Sequence, residues 1–266
     1  MTQITLFLVS VFGVTWTLLL LLRSFAAQGE VWTVLAWLLP TVWSPTIIAL
    51  ILMLSMKGAA GAREEIRARL SYRRGSGQWL VLAGIVPPFA TLIAVFTARA
   101  AGDGGPFIPS APQILVMLVL QLVTGAVGEE LGWRGFLLPR LGKPFSQMTA
   151  AWEMAILWSL WHVAAFFFPG TPHHDLMPPI SSLLFTALFG FFLAFVFNRT
   201  GESVLATILA HLSLNITMGI GGVQLSSIVF WGTLVGIFGA LALLIAIASR
   251  TRPLHDASVP VQAANE

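Results

Sequence analysis

Two adjacent glutamates, Glu129 and Glu130, stand in an otherwise apolar run, and Arg134 follows the second by four residues. Two later apolar runs each carry a histidine: His162 ends the segment Trp158-Ser159-Leu160-Trp161-His162, and His211 is followed four residues on by Asn215. These types handle protons and developing charge. A carboxylate without a counter-ion takes a proton from water, an imidazole relays one, and imidazole and amide N–H groups donate to an oxyanion. Spacing divides the two carboxylates. On a helix Glu130 and Arg134 share a face and pair, whereas Glu129 points about 100° away and has Trp133, not a cation, at i+4. The same groups would also serve a proton relay in a transporter, and Glu130 with Arg134 would suit a purely structural ion pair. Spacing alone does not choose.

The elements that must position these residues are membrane helices. Of 266 residues 57% are hydrophobic and only 9% charged, with mean hydropathy +0.86, against about 25% charged in a soluble domain. A span needs about 20 mainly apolar residues. Eight stretches qualify: 4–22, 31–56, 79–98, 113–138, 148–168, 180–197, 203–220 and 226–248. The expected fold is all-α, a polytopic transmembrane bundle of about eight spans in the cell membrane, with lipids as its immediate partners. Ser24-Phe25-Ala26 imitates a signal-peptide cleavage site, but no positive region precedes the first apolar run, so a retained helix is expected. One charged side chain at a helix centre costs about 2.5–3.5 kcal/mol. Glu129, Glu130 and Arg134 must therefore pair or face a wet interior. Gly125, Gly128, Gly132 and Gly135 run alongside them and admit a closely packed neighbour helix. Pro40, Pro45 and Pro87-Pro88 predict kinks.

The basic residues set the orientation. With eight spans and a cytoplasmic N-terminus, eleven of the fourteen Lys and Arg fall inside: Lys57, Arg63, Arg67, Arg69, Arg73, Arg74, Arg140, Lys143, Arg199, Arg250 and Arg252. Arg23 and Arg99 fall outside, and Arg134 is within a span. Both termini are then cytoplasmic. Ala62 to Leu70 reads as a short basic amphipathic helix that rests on anionic headgroups, with substrate docking as the alternative. At about 1.5 Å per residue, Glu130 lies roughly 12 Å from the cytoplasmic end of its span, His211 lies at similar depth, and His162 is nearer mid-span. The expected meeting point is the cytoplasmic half of the membrane.

Several classes are excluded. The chain has no cysteine, hence no disulfide, thiolate metal site or cysteine nucleophile. It has no GxGxxG, Walker A or HExxH pattern, and its basic runs lack the aromatic interleaving of nucleic-acid binders. His173-His174-Asp175 reads as a solvated polar loop, with incidental metal binding as the sharper option.

The run Glu129-Glu130-Leu131-Gly132-Trp133-Arg134-Gly135 resembles the EExxxR motif of the CPBP intramembrane proteases, the CAAX proteases and bacteriocin-processing enzymes also called the ABI family. Trp158 to His162 is similar to their second motif, an aromatic four residues before a histidine, although Phe is more usual than Trp158 there. His211 to Asn215 matches their third, HxxxN. The resemblance covers roughly residues 113–218. It implies an intramembrane endopeptidase acting on membrane-adjacent or lipidated, CAAX-like peptides. Glu129 would be the general base assisted by His162, His211 and Asn215 would bind the oxyanion, and Glu130 with Arg134 would hold the segment in place. Members are described both as metalloproteases and as metal-independent glutamate proteases. No obligatory cofactor is expected here, and a zinc ion, if used, would sit on Glu129, His162 and His211. The implied organisation is an N-terminal helical region with the basic loop (1–110), a protease core (111–250) and a cytoplasmic tail (251–266). The rival functions are a non-catalytic scaffold or immunity-type protein, and a proton-coupled transporter.

Overall fold

A computed structural model describes the backbone of residues 2–26, 31–71, 76–104, 111–142, 146–169, 171–221 and 225–251, and their side chains except at 22–26, 31–39, 111, 113, 116, 117, 120, 123, 124, 250 and 251. Residues 252–266 of the expected tail, with Arg73, Arg74 and Lys143, lie outside the described residues.

Among the described residues all regular structure is helical. We number α1 (Gln3–Ala26), α2 (Val31–Arg69), α3 (Gly77–Ala100), α4 (111–141), α5 (Gln147–His162), α6 (Pro179–Arg199), α7 (Val204–Ile220) and α8 (Ile228–Thr251). A 3₁₀ turn (Val163–Phe167) and a one-turn helix (Pro172–Asp175) join α5 to α6. Among the described residues six stretches are long and apolar enough to cross a membrane, in α1, α2, α3, α6 and α8 and over α5 with its 3₁₀ turn (Gln147–Phe167), which leaves out α4 and α7. The two exceptions carry the glutamates and the HxxxN segment. α7 has 17 residues. α4 alternates α-helix (Ala111–Gln121, Val127–Glu130, Leu138–Leu141) with π-helix (Leu122–Ala126, Leu131–Leu137), a widening of the spiral found most often where helices carry function.

The glycines of α4 are close-packing points: Gly128 and Gly132 face α2, whereas Gly125 and Gly135 face Asn215 and Val204 of α7. A Cβ on Gly132 would lie 2.4 Å from the carbonyl carbon and oxygen of Pro45, and one on Gly128 would lie 3.1 Å from the Val42 carbonyl. The segment 42–45 thus lies directly on the turn bearing Glu129 and Glu130. α5 and α6 meet equally closely at Gly190, where a Cβ would be 3.0 Å from the Trp158 ring and 3.2 Å from Ala155. The interior is aromatic: Trp133, Phe136, Phe189, Phe191 and Phe238 are fully buried. The outside carries exposed Val9, Leu20, Ile51, Phe89, Phe96 and Leu244, as a lipid-facing surface requires.

The chain breaks helical geometry at glycine rather than at proline. α2 runs on through Pro40 and Pro45, α3 through Pro87-Pro88, and the non-helical angles of α2 fall at Gly58 (φ 66°, ψ 178°). That positive φ is open to glycine at little cost. It redirects the chain, so the basic segment expected around Ala62–Leu70 is the helical continuation of α2. Its Glu65 accepts from Lys57 Nζ and Arg140 Nη1, each at 2.8 Å, while Arg140 Nε donates to Gln3 Oε1 at 2.9 Å. Arg69 pairs with Glu202. These contacts tie together one end of α1, α2, α4 and α7. At the other end Arg99 donates to the Gly221 carbonyl at 2.9 Å and Ser227 to Asp103 at 2.6 Å.

Candidate active site

Glu130 is fully buried and holds two partners on one oxygen. Arg134 Nη1 donates to Oε1 at 2.9 Å, the pair that the i,i+4 spacing predicts, and His211 Nδ1 donates to the same Oε1 at 2.8 Å. A carboxylate engaged by arginine only accepts, so His211 carries its proton on Nδ1 and Nε2 remains for other work. Sequence spacing grouped His211 with Asn215; its Nδ1 is fixed across the helix interface by α4.

Glu129 lacks a cation, as expected, yet it is not unpartnered. Trp158 Nε1 donates to Glu129 Oε2 at 2.7 Å. The Arg134 guanidinium carbon lies 4.2 Å from the centroid of the Trp158 ring, and both site histidines meet that ring nearly edge to face, at 5.2 Å for His162 and 5.5 Å for His211. The indole is therefore the hub of the cluster. The sequence marks Trp158 only as a departure from the more usual Phe. The tryptophan in place of phenylalanine was the available signal, since only the indole supplies an N–H.

His162 closes α5 rather than lying mid-helix. Its Nδ1 donates to the Trp158 carbonyl at 2.8 Å, which fixes the ring and leaves Nε2 unprotonated in the neutral form. His173 packs against it, ring centroids 5.5 Å apart, and against Phe166 at 5.2 Å. The sequence reading of a solvated loop holds for His174, exposed and bonded to Asp175 at 2.6 Å, but His173 turns inward. Thr171 caps the turn by accepting from the His174 amide at 3.2 Å with Pro172 at its first position, and a helical turn points successive side chains in different directions. Burial pushes the His173 imidazole down to about 4.

Glu129, His162, His211, Asn215 and Trp158 all line a single cavity of about 810 Å³, walled by Phe185, Phe189, Leu214 and Met218. Its volume falls within the roughly 300–1,000 Å³ usual for ligand sites. Asn215 reaches it beside Gly125, where the backbone leaves helical angles (φ −140°, ψ −112°) and a Cβ would sit 3.0 Å from Asn215 Nδ2. Trp161 Nε1 donates to Thr15 at 2.9 Å, and Thr15 meets Ser44 at 2.6 Å, which ties α1 and α2 into the same wall. Glu129 stands past the middle of α4 and His211 just before the middle of α7, and the lining runs from there to Gln121 on α4 and Gly219 on α7. The zinc set is not gathered: among the described residues no group of three or more His, Asp or Glu stands close enough to hold a metal ion. These residues do not fit a zinc centre as placed.

The three motifs thus converge on one cavity, and the segment that carries them is the one that matches known proteins. The family model for type II CAAX prenyl endopeptidases, Rce1-like, matches residues 111–217, which are α4 to α7. Residues 111–217 are thus similar to the type II CAAX prenyl endopeptidases. The chain is also similar to the CAAX prenyl protease 2 of Methanococcus maripaludis, 22% identical over 191 residues that cover 67% of this chain and 70% of the relative.

Proposed function

We propose that this protein is an intramembrane endopeptidase that cleaves a peptide bond in a membrane-adjacent or lipidated peptide by water activated at Glu129. The observation that carries the reading is a carboxylate without a cation, held by an indole N–H, facing the same cavity as His162, His211 and Asn215. A water between Glu129 and the scissile carbonyl gives its proton to the carboxylate as its oxygen bonds to the carbonyl carbon, with His162 Nε2 as a second acceptor nearby. The carbonyl π pair moves onto oxygen. Asn215 Nδ2–H and, in the imidazolium form, His211 Nε2–H donate to that oxyanion; Glu130 keeps the His211 ring in place. Collapse breaks the C–N bond, and the proton held by Glu129 passes to the leaving amine. Every step uses groups of this chain, and none is routed through a metal. The apolar walls suit a hydrophobic side chain or lipid chain, and their burial excludes bulk water from the intermediate.

The test is Glu129→Gln, purified in detergent and assayed on a peptide library. The amide keeps an oxygen for the indole, so unfolding is not expected. Cleavage falls to background with the thermal transition unchanged; a variant cutting at the wild-type rate would remove Glu129 from the chemistry.

A further inference from the structure

Several polar side chains of the cavity have no part in the chemistry above. Four lining hydroxyls are committed to the protein itself: Thr15 to Ser44 at 2.6 Å, Thr171 to the Ala165 carbonyl at 2.6 Å, Ser182 to that of Pro178 at 2.6 Å and Thr186 to that of Ser182 at 2.8 Å. His173 packs against the His162 and Phe166 rings. Gln121 differs. It lines the cavity half-buried, and among the described residues no hydrogen bond engages its amide. A carboxamide shielded from bulk water in this way is normally paired.

Its position says with what. Gln121, Gly125 and Glu129 follow one another at intervals of four, and all three line the cavity, so α4 turns one stripe towards the bound molecule. The middle of that stripe carries no side chain: a Cβ on Gly125 would lie 3.7 Å from Gln121 Oε1 and 3.0 Å from Asn215 Nδ2. Two amides thus border a gap in which a ligand can lie against the bare backbone of Gly125. From Glu129 to Gln121 the stripe is about 12 Å long at about 1.5 Å per residue. An extended peptide covers that in roughly three to four residues at about 3.3 Å each. A carboxamide offers both a donor and an acceptor, the complement of a peptide group whatever its side chain. We infer that Gln121 is a substrate-binding residue that holds the main chain of an extended peptide, roughly three to four residues from the bond cut at Glu129. The inference rests on the peptidase reading above and adds a length requirement to it.

The test uses a library peptide that the wild-type protein cuts, carrying about five residues on each side of its cleavage site, and two forms of it, each trimmed on one side to about two and so too short to reach Gln121. Gln121→Leu keeps the bulk and suits an apolar helix. On the full peptide the variant raises KM about fivefold, with far less change in kcat. One of the two trimmed forms raises the wild-type KM to the same level, and on that form variant and wild type agree. The residues preferred at each library position stay the same, because the main chain is what is held. A KM that rises equally on all three peptides, or on none, overturns the inference while the peptidase reading stands, and so does a changed residue preference. No cleavage of any peptide by the wild-type protein overturns the peptidase reading and the inference with it.

Discussion

Trp158 and Glu129 are joined by a 2.7 Å hydrogen bond between α5 and α4, and the face of the same indole covers Arg134. One neutral side chain thereby touches the carboxylate assigned to chemistry and the cation assigned to structure. Trp158→Phe keeps an aromatic surface and removes the N–H. A hydrogen bond to a charged group is worth about 1.5–3 kcal/mol, so kcat/KM for peptide cleavage should fall roughly ten- to hundredfold. The loss should appear in kcat more than in KM, because the indole acts on the base. Unchanged kcat would reduce Trp158 to a packing residue.

The contact of α2 with α4 makes a steric prediction. Gly132→Ala places a methyl 2.4 Å from the Pro45 carbonyl, and backbone cannot yield as a flexible side chain can. Overpacking of this kind costs about 1–3 kcal/mol, so the detergent melting temperature should drop by several degrees. Gly13→Ala is the control, since nothing lies within 4 Å of its added Cβ. Equal melting temperatures for the two variants would mean that the helices are not in contact there.

His173 gives a pH dependence whose sign is fixed. Its folded-state pKa, about 4, lies below the ordinary 6.5, so the fold favours the neutral ring. The stability it contributes is complete above 6.5 and is lost as pH falls from 6.5 towards 4. Wild-type protein should therefore lose thermal stability relative to His173→Gln across that interval. Parallel melting curves from pH 7 to pH 4 would show that the ring is solvated.

Much of this was legible in the residues. The eight apolar stretches became helices because membrane spans announce themselves by composition, and Glu130 with Arg134 was fixed by helical periodicity. What escaped was set by neighbours distant in sequence. The carboxylate that accepts from His211 lies 81 residues before it, and the Trp158 bond spans 29. No local pattern encodes either. The break in helical angles at Gly58 was not foreseen, because its positive φ is open to glycine but leaves no mark in the local sequence pattern.

Glu130 also limits which parts of the molecule can move. Arg134 and His211 share its one carboxylate oxygen, so sliding α7 along α4 would break a buried hydrogen bond to a carboxylate at a cost of about 1.5–3 kcal/mol. Those two helices behave as one rigid jaw. Accommodation of guests of different bulk then falls to the cavity wall after α5, where Phe166 and His173 meet each other, and His173 meets His162, through ring contacts rather than ion pairs.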